Sequence, residues 1–245
     1  MSNSDLISEI SNPIRIKILF LLYEKNATLT ELTKKIGNIS NSEISRHLGR
    51  LASQNFVKKE SIPGRKYEIT SFGEIFIRIY KPLNFIFQYS EYFQKHRLND
   101  ISEDLIKKIH YLQNSELVKG TGIVMDKMKF LTDSVQNEIW IMIDNPFPFD
   151  WQTEKTHFIV PSSILKYESA LKGEEGKFNA YLFDNLTISL CITDIGNGIL
   201  FFPRSNENVP DYSKGFFIKD KKGIEYLREL WNYFLSISEL YRKEF

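Results

Sequence analysis

The sequence predicts a mixed α+β protein built from two parts. In the first part, short amphipathic helices with recognisable caps follow one another and lead into a pair of short strands. In the second part, short apolar runs with the composition of strands alternate with helical patterns. At 245 residues, the chain is long enough for two domains that each bury a core.

The first part opens with a helix whose start is marked by Asn12 and Pro13. Asparagine caps helices well, and proline is favoured at the first helical position. Thr28 or Thr30 can cap a short second helix, which Gly37 ends because glycine tolerates a positive φ. A short polar linker then leads to a third helix.

The third helix carries the most informative pattern in the chain. Ser42 can cap it by accepting a hydrogen bond from a free backbone N–H. Its apolar face holds Ile44, Leu48 and Leu51. Its opposite face holds Ser45, Arg46, Gly49, Arg50 and Ser53. A polar and basic face of this kind is what helix-turn-helix proteins place in the major groove of DNA.

A two-stranded ribbon follows this helix. One strand opens at Phe56, the other covers 67–69, and the turn between them contains the basic tip 63–66. Such a ribbon can grip the DNA backbone beside the groove. Thr70 can cap a further helix that runs to Tyr80. The order of three helices, two-stranded wing and helix predicts a winged helix-turn-helix domain.

Three segments of this part together resemble the DNA-binding domain of arsenical-resistance-type winged-helix repressors. They are NPIRIKILFLL (12–22), SEISRHLGRLASQNFVKK (42–59) and GRKYEIT (64–70). The resemblance covers about the first third of the chain, and it implies base reading by the third helix and backbone or minor-groove contact by the wing. The positions implied to contact DNA are Ser42, Ser45, Arg46, Arg50, Arg65 and Lys66.

Other residues of this part have more than one interpretation. An exposed arginine such as Arg50 is often only a solvated surface residue. His47, on the flank of the apolar face, is predicted to be a packed structural histidine. Lys58 and Lys59 are either wing contacts or solubilising charges along an edge strand.

The charge is unevenly placed along the chain, although the net value is +1. Residues 1–80 hold 12 Lys or Arg against 8 Asp or Glu, a balance of +4, and the rest hold 20 against 23, a balance of −3. A basic head on an acidic body indicates that nucleic acid is bound at the head only.

The predicted domains are a winged-helix domain over 1–82, a helical linker or dimerisation segment over 83–115, and an α/β domain over 116–245. The linker is rich in aromatic side chains that need cover. Either a second copy of the chain covers them, or they pack on the α/β domain. A homodimer is favoured, because a single half-site carries little sequence information, and half-sites then lie about 34–36 Å apart or multiples of that.

The third domain alternates strands with helices. The predicted strands are 116–120, 138–144, 156–161, 178–183, 187–193 and 198–202. One helix is predicted over 123–131, another over 163–171 with Ser162 as its cap, and a last one after Asp220. A sheet flanked by helices follows from this order.

Segments of this domain resemble the effector domain of archaeal winged-helix regulators of the methanogenesis regulatory protein family, and the ending also resembles that of archaeal sugar-responsive regulators. These segments are HFIVPSSILKYESALKGEEG (157–176), GNGILFF (196–202) and IEYLRELWNYF (224–234). The resemblance implies a ligand- or partner-sensing domain of phospholipase-D-like shape, called here the effector domain, and it implies no particular binding residue. Polar side chains at the ends of apolar strands are the candidate effector-binding groups: Asp144, His157, Arg204 and Asp211.

The sequence predicts neither an enzyme nor a cofactor. Phospholipase D chemistry needs a His-x-Lys motif, but Phe158 and Ile159 follow His157. Ser162 and Ser163 lie in no Gly-x-Ser-x-Gly elbow, and the chain has no phosphate loop or dinucleotide fingerprint.

Metal is not predicted either, because the single Cys and four His lack ligand spacing. Asp100, Asp104 and His110 could converge, but a solvated helix explains them better. Cys191 has the apolar neighbours of a core thiol, and one cysteine suits a reducing cytoplasm. The start of the chain does not resemble a signal peptide, and the apolar run 139–143 is too short to span a bilayer. The expected location is therefore cytoplasmic, away from membranes.

Together these features predict a transcriptional regulator that binds double-stranded DNA as a dimer and whose affinity for DNA is modulated through the last domain by a small-molecule effector or a partner. The alternative is an architectural or adaptor DNA-binding protein whose last domain docks another protein and senses no ligand.

Overall fold

The computed structural model describes residues 11–60, 65–145, 155–167 and 179–241. The chain falls into two compact units, Met1–Leu83 and Asn84–Phe245. The prediction of a mixed α+β chain, with helix-turn-helix elements first and a large sheet domain after them, is confirmed. The finer division at 82 and 115 stays a prediction.

The first unit consists of helices around a small core and one two-stranded ribbon. Its elements are α1 (Pro13–Glu24), α2 (Leu29–Ile36), α3 (Asn41–Ser53), β1 (Val57–Lys59), β2 (Tyr67–Ile69) and most of α4 (Ser71–Gln88). The two strands are antiparallel, with Lys58 opposite Glu68. Fully buried side chains from every helix meet in the core: Ile18, Leu19, Leu32, Ile44, Leu48, Leu51, Phe56 and Ile77.

The helix starts of this unit are capped largely as predicted. The Asn12 side chain accepts hydrogen bonds from the N–H groups of Ile14 and Arg15. Thr28, rather than Thr30, caps α2, and it forms a capping box in which Glu31 reaches back to the Thr28 N–H at 2.7 Å.

The prediction that Ser42 caps α3 is wrong, because Ser40 occupies that position. Ser40 has extended dihedral angles, and its hydroxyl accepts a hydrogen bond from the Glu43 N–H at 3.2 Å. A cap is favoured where glutamate follows three residues later, and that spacing fits Ser40 with Glu43. Ser42 therefore lies in the first turn, with its hydroxyl 2.9 Å from that of Ser40.

The second unit is an eight-stranded sheet between two layers of helices. Its strands are β3 (Glu116–Lys119), β4 (Glu138–Met142), β5 (Lys155–Val160), β6 (Asn179–Leu182), β7 (Ser189–Thr193), β8 (Gly198–Phe201), β9 (Lys214–Ile218) and β10 (Glu239–Tyr241). Their order across the sheet is β10-β6-β5-β4-β7-β8-β9-β3. Only the β4–β5 and β5–β6 pairs are parallel among these described strands, and the other pairs are antiparallel.

Apolar side chains alternate between the two faces of this sheet, so that each face has its own core. The helices of the unit are α5 (Ser90–Phe93), α6 (Glu103–Lys108), α7 (Thr121–Ser134) and α8 (Lys221–Ser236), with 3₁₀ turns at Ile109–Asn114 and Ser162–Tyr167. The end of α4 packs with α5, α6 and α8 on the face that carries Leu190, Leu200 and Phe216. Helix α7 covers the opposite face, which carries Cys191 and Phe217.

The linker aromatics pack largely on their own chain. Phe85 and Tyr92 are buried, and their rings lie 5.8 and 5.1 Å from the ring of Phe216. Of the two interpretations of this segment, packing on the same domain therefore holds for these rings. Phe87 on the same stretch remains 64% exposed.

One prediction about element type needs correction, and two strands were missed. The helix expected at 163–171 is a short 3₁₀ turn up to Tyr167, and residues 168–171 lie outside the described residues. Strand β9 was missed because its apolar run is short and begins with Lys214-Gly215. Strand β10 was missed because it contains three residues at the edge of the sheet.

Candidate nucleic-acid interface

Helix α3 exposes a polar face to solvent, and its opposite, apolar face packs in the core. Ile44, Leu48 and Leu51 have no exposed surface. The residues predicted to contact DNA from this helix are all exposed: Ser42, Ser45, Arg46 and Arg50. They stand at positions i, i+3, i+4 and i+8, so the structure places them on one face of the helix.

The charge of Arg46 on this face is only weakly neutralised. The Arg46 guanidinium is 67% exposed and lies 4.0 Å from the Glu43 carboxylate, a contact that bound phosphate or a base edge can replace. Near the end of α3, the Ser53 hydroxyl donates to the Arg50 carbonyl at 2.7 Å. The helix therefore keeps its shape while its arginine side chains extend into solvent.

His47 lies on the inner side of α3, as predicted for a structural residue, and is 5% exposed. Burial lowers the pKa of its imidazole, and the nearby Arg15 and Arg46 lower it further. Neither ring nitrogen makes a hydrogen bond within the described part of the chain. The neutral imidazole therefore adds no positive charge to the outer face at neutral pH.

The wing lies directly after α3 in the chain. Arg65 and Lys66 are exposed beside the wing tip, and Arg65 has a φ of 28°. Residues 61–64 of the predicted tip lie outside the described residues. Lys58 forms an ion pair of 2.8 Å with Glu68 across the ribbon, and the Lys59 ammonium lies 5.5 Å from the centre of the Tyr67 ring. Both lysines therefore already have partners on the wing itself.

The effector candidates of the second unit do not form one site. Asp144 accepts a hydrogen bond from the Tyr212 hydroxyl. His157 stacks on Trp140 with ring centres 5.6 Å apart, and both rings line a cavity of about 260 Å³ beside α8. Arg204 lines a different cavity, which does not include His157.

Arg204 and Asp211 belong to one polar network, in which Asp211 is buried and Arg204 is exposed. The Asp211 carboxylate accepts hydrogen bonds from Arg204 Nε at 2.9 Å and from the Ser213 hydroxyl at 2.6 Å. His96 Nε2 lies 3.1 Å from the same carboxylate. Burial alone raises the pKa of Asp211, but the hydrogen bonds from Arg204, Ser213 and His96 outweigh it and hold the pKa well below the usual range. Sequence reasoning missed His96, which has no local pattern to mark it.

The residues considered for a metal site have other partners. The Thr187 hydroxyl donates to Asp100 at 2.8 Å, Lys107 pairs with Asp104 at 3.0 Å, and His110 Nδ1 lies 3.1 Å from a backbone carbonyl. Across the described ranges, no group of three His, Cys, Asp or Glu side chains is arranged to hold a metal ion. Cys191 is fully buried, and burial raises the pKa of its thiol to about 12.

Within the same described ranges, no helix is both long and apolar enough to cross a bilayer.

Comparison with known proteins finds a family that is similar to the segment containing α3. Residues 12–59, which hold α1, α2, α3 and β1, match the family model described as bacterial regulatory protein, arsR family. This segment is therefore similar to the helix-turn-helix of those regulators, which confirms the resemblance predicted for it and supports DNA binding. The match covers too little of the chain to assign the whole protein to the family.

Among solved structures, the chain is similar to that of TrmBL2, an archaeal chromatin protein whose structure is described as showing a novel mode of DNA binding. The two share 15% sequence identity over 94% of each chain, with a TM-score of 0.41. A search of curated proteins returned no match.

Proposed function

We propose that this protein is a sequence-specific, DNA-binding transcriptional regulator, that it acts as a dimer in the cytoplasm, and that a small ligand bound to its second unit changes its affinity for DNA. The observation that carries this proposal is the division of α3 into a fully buried apolar face and an exposed face with serines and arginines. The match of residues 12–59 to a family of regulatory proteins supports it.

The residues of α3 divide into two roles under this proposal. Arg46 lies nearer the helix N-terminus, the end that meets base edges in helix-turn-helix complexes, so it reads a guanine through its two guanidinium donors. Ser42 and Ser45 lie beside it and supply hydroxyl contacts. Arg50, one turn further along, contacts a phosphate or a base. Arg65 and Lys66 contact the backbone from the wing.

An apolar stripe along α4 supports the dimer. The exposed side chains of this stripe in the first unit are Phe72, Ile75, Ile79 and Leu83, with exposures between 40% and 64%. They recur every three or four residues, so they lie on one side of the helix. A contiguous apolar surface of this kind marks a protein–protein contact.

The same stripe also suits the alternative, an architectural or adaptor protein that docks a different protein and senses no ligand. The two functions differ in sequence specificity and in response to small molecules. Selection of binding sites from random DNA addresses the first difference, because an architectural protein enriches no defined sequence.

The proposal is tested by replacing Arg46 with alanine and measuring binding to the selected site and to random DNA. Loss of a bidentate arginine–guanine contact costs about 1–3 kcal/mol on the selected site and much less on random DNA. Arg78→Ala is the matched control, since Arg78 is an exposed arginine of α4 in the same unit. Equal losses on both DNAs would show that Arg46 contacts phosphate only.

The wing is tested by Arg65→Ala. Each lost phosphate contact lowers the slope of log K against log salt by about 0.9, and it weakens binding to every sequence. An unchanged slope would show that Arg65 makes no contact with a DNA phosphate.

A further inference from the structure

We propose that Lys95, Lys119 and Lys214 form a binding site for a small polyvalent oxyanion, the chemical class of pyrophosphate and of phosphorylated metabolites. All three residues belong to the second unit. The inference that such an anion is the effector rests on the proposed function. Anion binding itself is measured without DNA.

Two of the lysines face each other across the edge of the sheet. Lys119, the last residue of β3, is directly opposite Lys214, the first residue of β9, in an antiparallel pair. Two residues away along the two strands, Leu117 is opposite Phe216. Because side chains alternate between the faces of a sheet, both lysines lie on the same face as Phe216. Like charges directly opposite each other on one face destabilise a sheet. An anion between them removes that repulsion.

Lys95 brings a third positive charge to the same place. It lies just after α5, and it lines two cavities together with Lys214. The first cavity, of about 260 Å³, also includes Lys119, Tyr89, Tyr92 and Leu117. The second, of about 330 Å³, also includes Arg204 and Asp211. We call the two cavities together the lysine trough.

The charge of the trough is not balanced by its own carboxylates. Among the described residues, no carboxylate lies within 4.0 Å of the ammonium groups of these three lysines. Asp211, which lines the second cavity, is already bonded to Arg204 and Ser213. Glu91 is the other carboxylate of the two linings. The trough thus offers three ammonium groups to a ligand in solution.

The shape of the trough selects a small molecule. A cavity of about 260 Å³ has room for a phosphorylated metabolite. Its walls add apolar surface from Tyr89 and Leu117 beside the charges. Small-ligand sites combine these two properties, an apolar lining and a few convergent polar groups.

The test uses the full chain with inorganic pyrophosphate as the probe, in thermal shift and calorimetric titration at low salt. Pyrophosphate is expected to raise the melting temperature of the wild type, because a ligand that binds only the folded state stabilises it by mass action. The double variant Lys119→Gln/Lys214→Gln is expected to bind pyrophosphate at least tenfold more weakly. Without pyrophosphate this variant melts no lower than the wild type, since the repulsion is gone, and this excludes misfolding as the cause.

Lys129→Gln is the matched control, because Lys129 is an exposed lysine of α7 outside the trough. It is expected to retain wild-type binding. Equal loss in this control, or no binding by the wild type, overturns the inference. Loss of DNA affinity in the double variant without any pyrophosphate binding also overturns it and assigns the lysines to the DNA backbone. DNA binding by the Arg46 and Arg65 variants is read separately, so failure here leaves the proposed function standing.

Discussion

Asp211→Asn removes one charge from the most heavily bonded carboxylate of the second unit. Asp211 is 5% exposed, and it joins a loop after β8 to the segment after α5. Its two oxygens accept from Arg204, from both the N–H and the hydroxyl of Ser213, and face His96 Nε2 at 3.1 Å. Asparagine keeps the shape of the side chain but replaces one acceptor oxygen with a donor.

The expected cost follows from the buried partners. The N–H and hydroxyl of Ser213 meet Oδ1, whereas His96 and Arg204 Nε meet Oδ2, so the amide group of asparagine opposes one of these two sets in either orientation. A hydrogen bond to a charged group contributes about 1.5–3 kcal/mol, and a buried donor left without an acceptor costs a similar amount. We therefore expect a loss of about 3 kcal/mol at neutral pH, from whichever of the two sets the amide group opposes. This corresponds to a fall in melting temperature of about 6–12 °C for a domain of this size.

The loss depends on pH in a defined direction. Because the pKa of Asp211 is held below its ordinary value in the folded protein, its contribution is complete above the unfolded pKa of about 3.9. The contribution is lost as the pH falls from there towards the folded pKa. The difference between wild type and variant is therefore full at pH 7, and it shrinks at pH values below about 4.

Scanning calorimetry of both proteins at pH 7 and pH 3 measures this difference. Asp126→Asn is the control, because Asp126 is an exposed carboxylate on α7 of the same unit. Equal melting temperatures of the wild type and Asp211→Asn at pH 7 would refute the reasoning. A difference that grows at pH 3 would show that the charge of Asp211 does not stabilise the fold.

Two further predictions concern the first unit. Gly73→Ala places a Cβ 2.3 Å from the Phe56 carbonyl oxygen, so it should destabilise the unit by about 1–3 kcal/mol in a denaturant melt. Gly49→Ala, which meets open space on α3, should be neutral or stabilising by up to about 1 kcal/mol, and similar melts for the two variants would contradict this. Ile79→Glu, on the exposed stripe of α4, should convert the proposed dimer to a monomer in sedimentation without lowering the melting temperature of the first unit. A mass that does not change with the substitution would exclude this stripe as the dimer contact.

The first unit could be predicted almost completely because its signals are local. A cap, a helical apolar stripe and a turn each occupy a few neighbouring residues, as Asn12 and Thr70 illustrate. The mistake at Ser42 concerned two serines two positions apart, and only the glutamate at position 43 distinguishes them. The direction of the exposed face of α3 followed from the periodicity alone.

The second unit could be predicted as a set of strands but not as a site. Strand order and register join residues that are far apart in the chain, and no local pattern encodes them. Lys119 and Lys214 become neighbours only because β3 pairs with β9, and β9 was not predicted. Arg204 and Asp211 were both named as candidate effector-binding groups, but their pairing with each other, seven residues apart, was not predicted.

The two units differ in how their positive charges are arranged, and this difference suggests how a ligand could regulate the protein. Arg46 of α3 is exposed and only weakly paired, so a DNA contact by this side chain requires little rearrangement of the first unit. In the second unit, Lys119 and Lys214 are opposite each other at a sheet edge, and the repulsion between them destabilises that edge. A ligand that relieves such repulsion favours one arrangement of the edge over another, and a coupling of only about 1–3 kcal/mol changes affinity at a distant site about 5–150-fold. Pyrophosphate titration in the presence of operator DNA measures that coupling, because linkage requires DNA to change the affinity for the anion by the same factor.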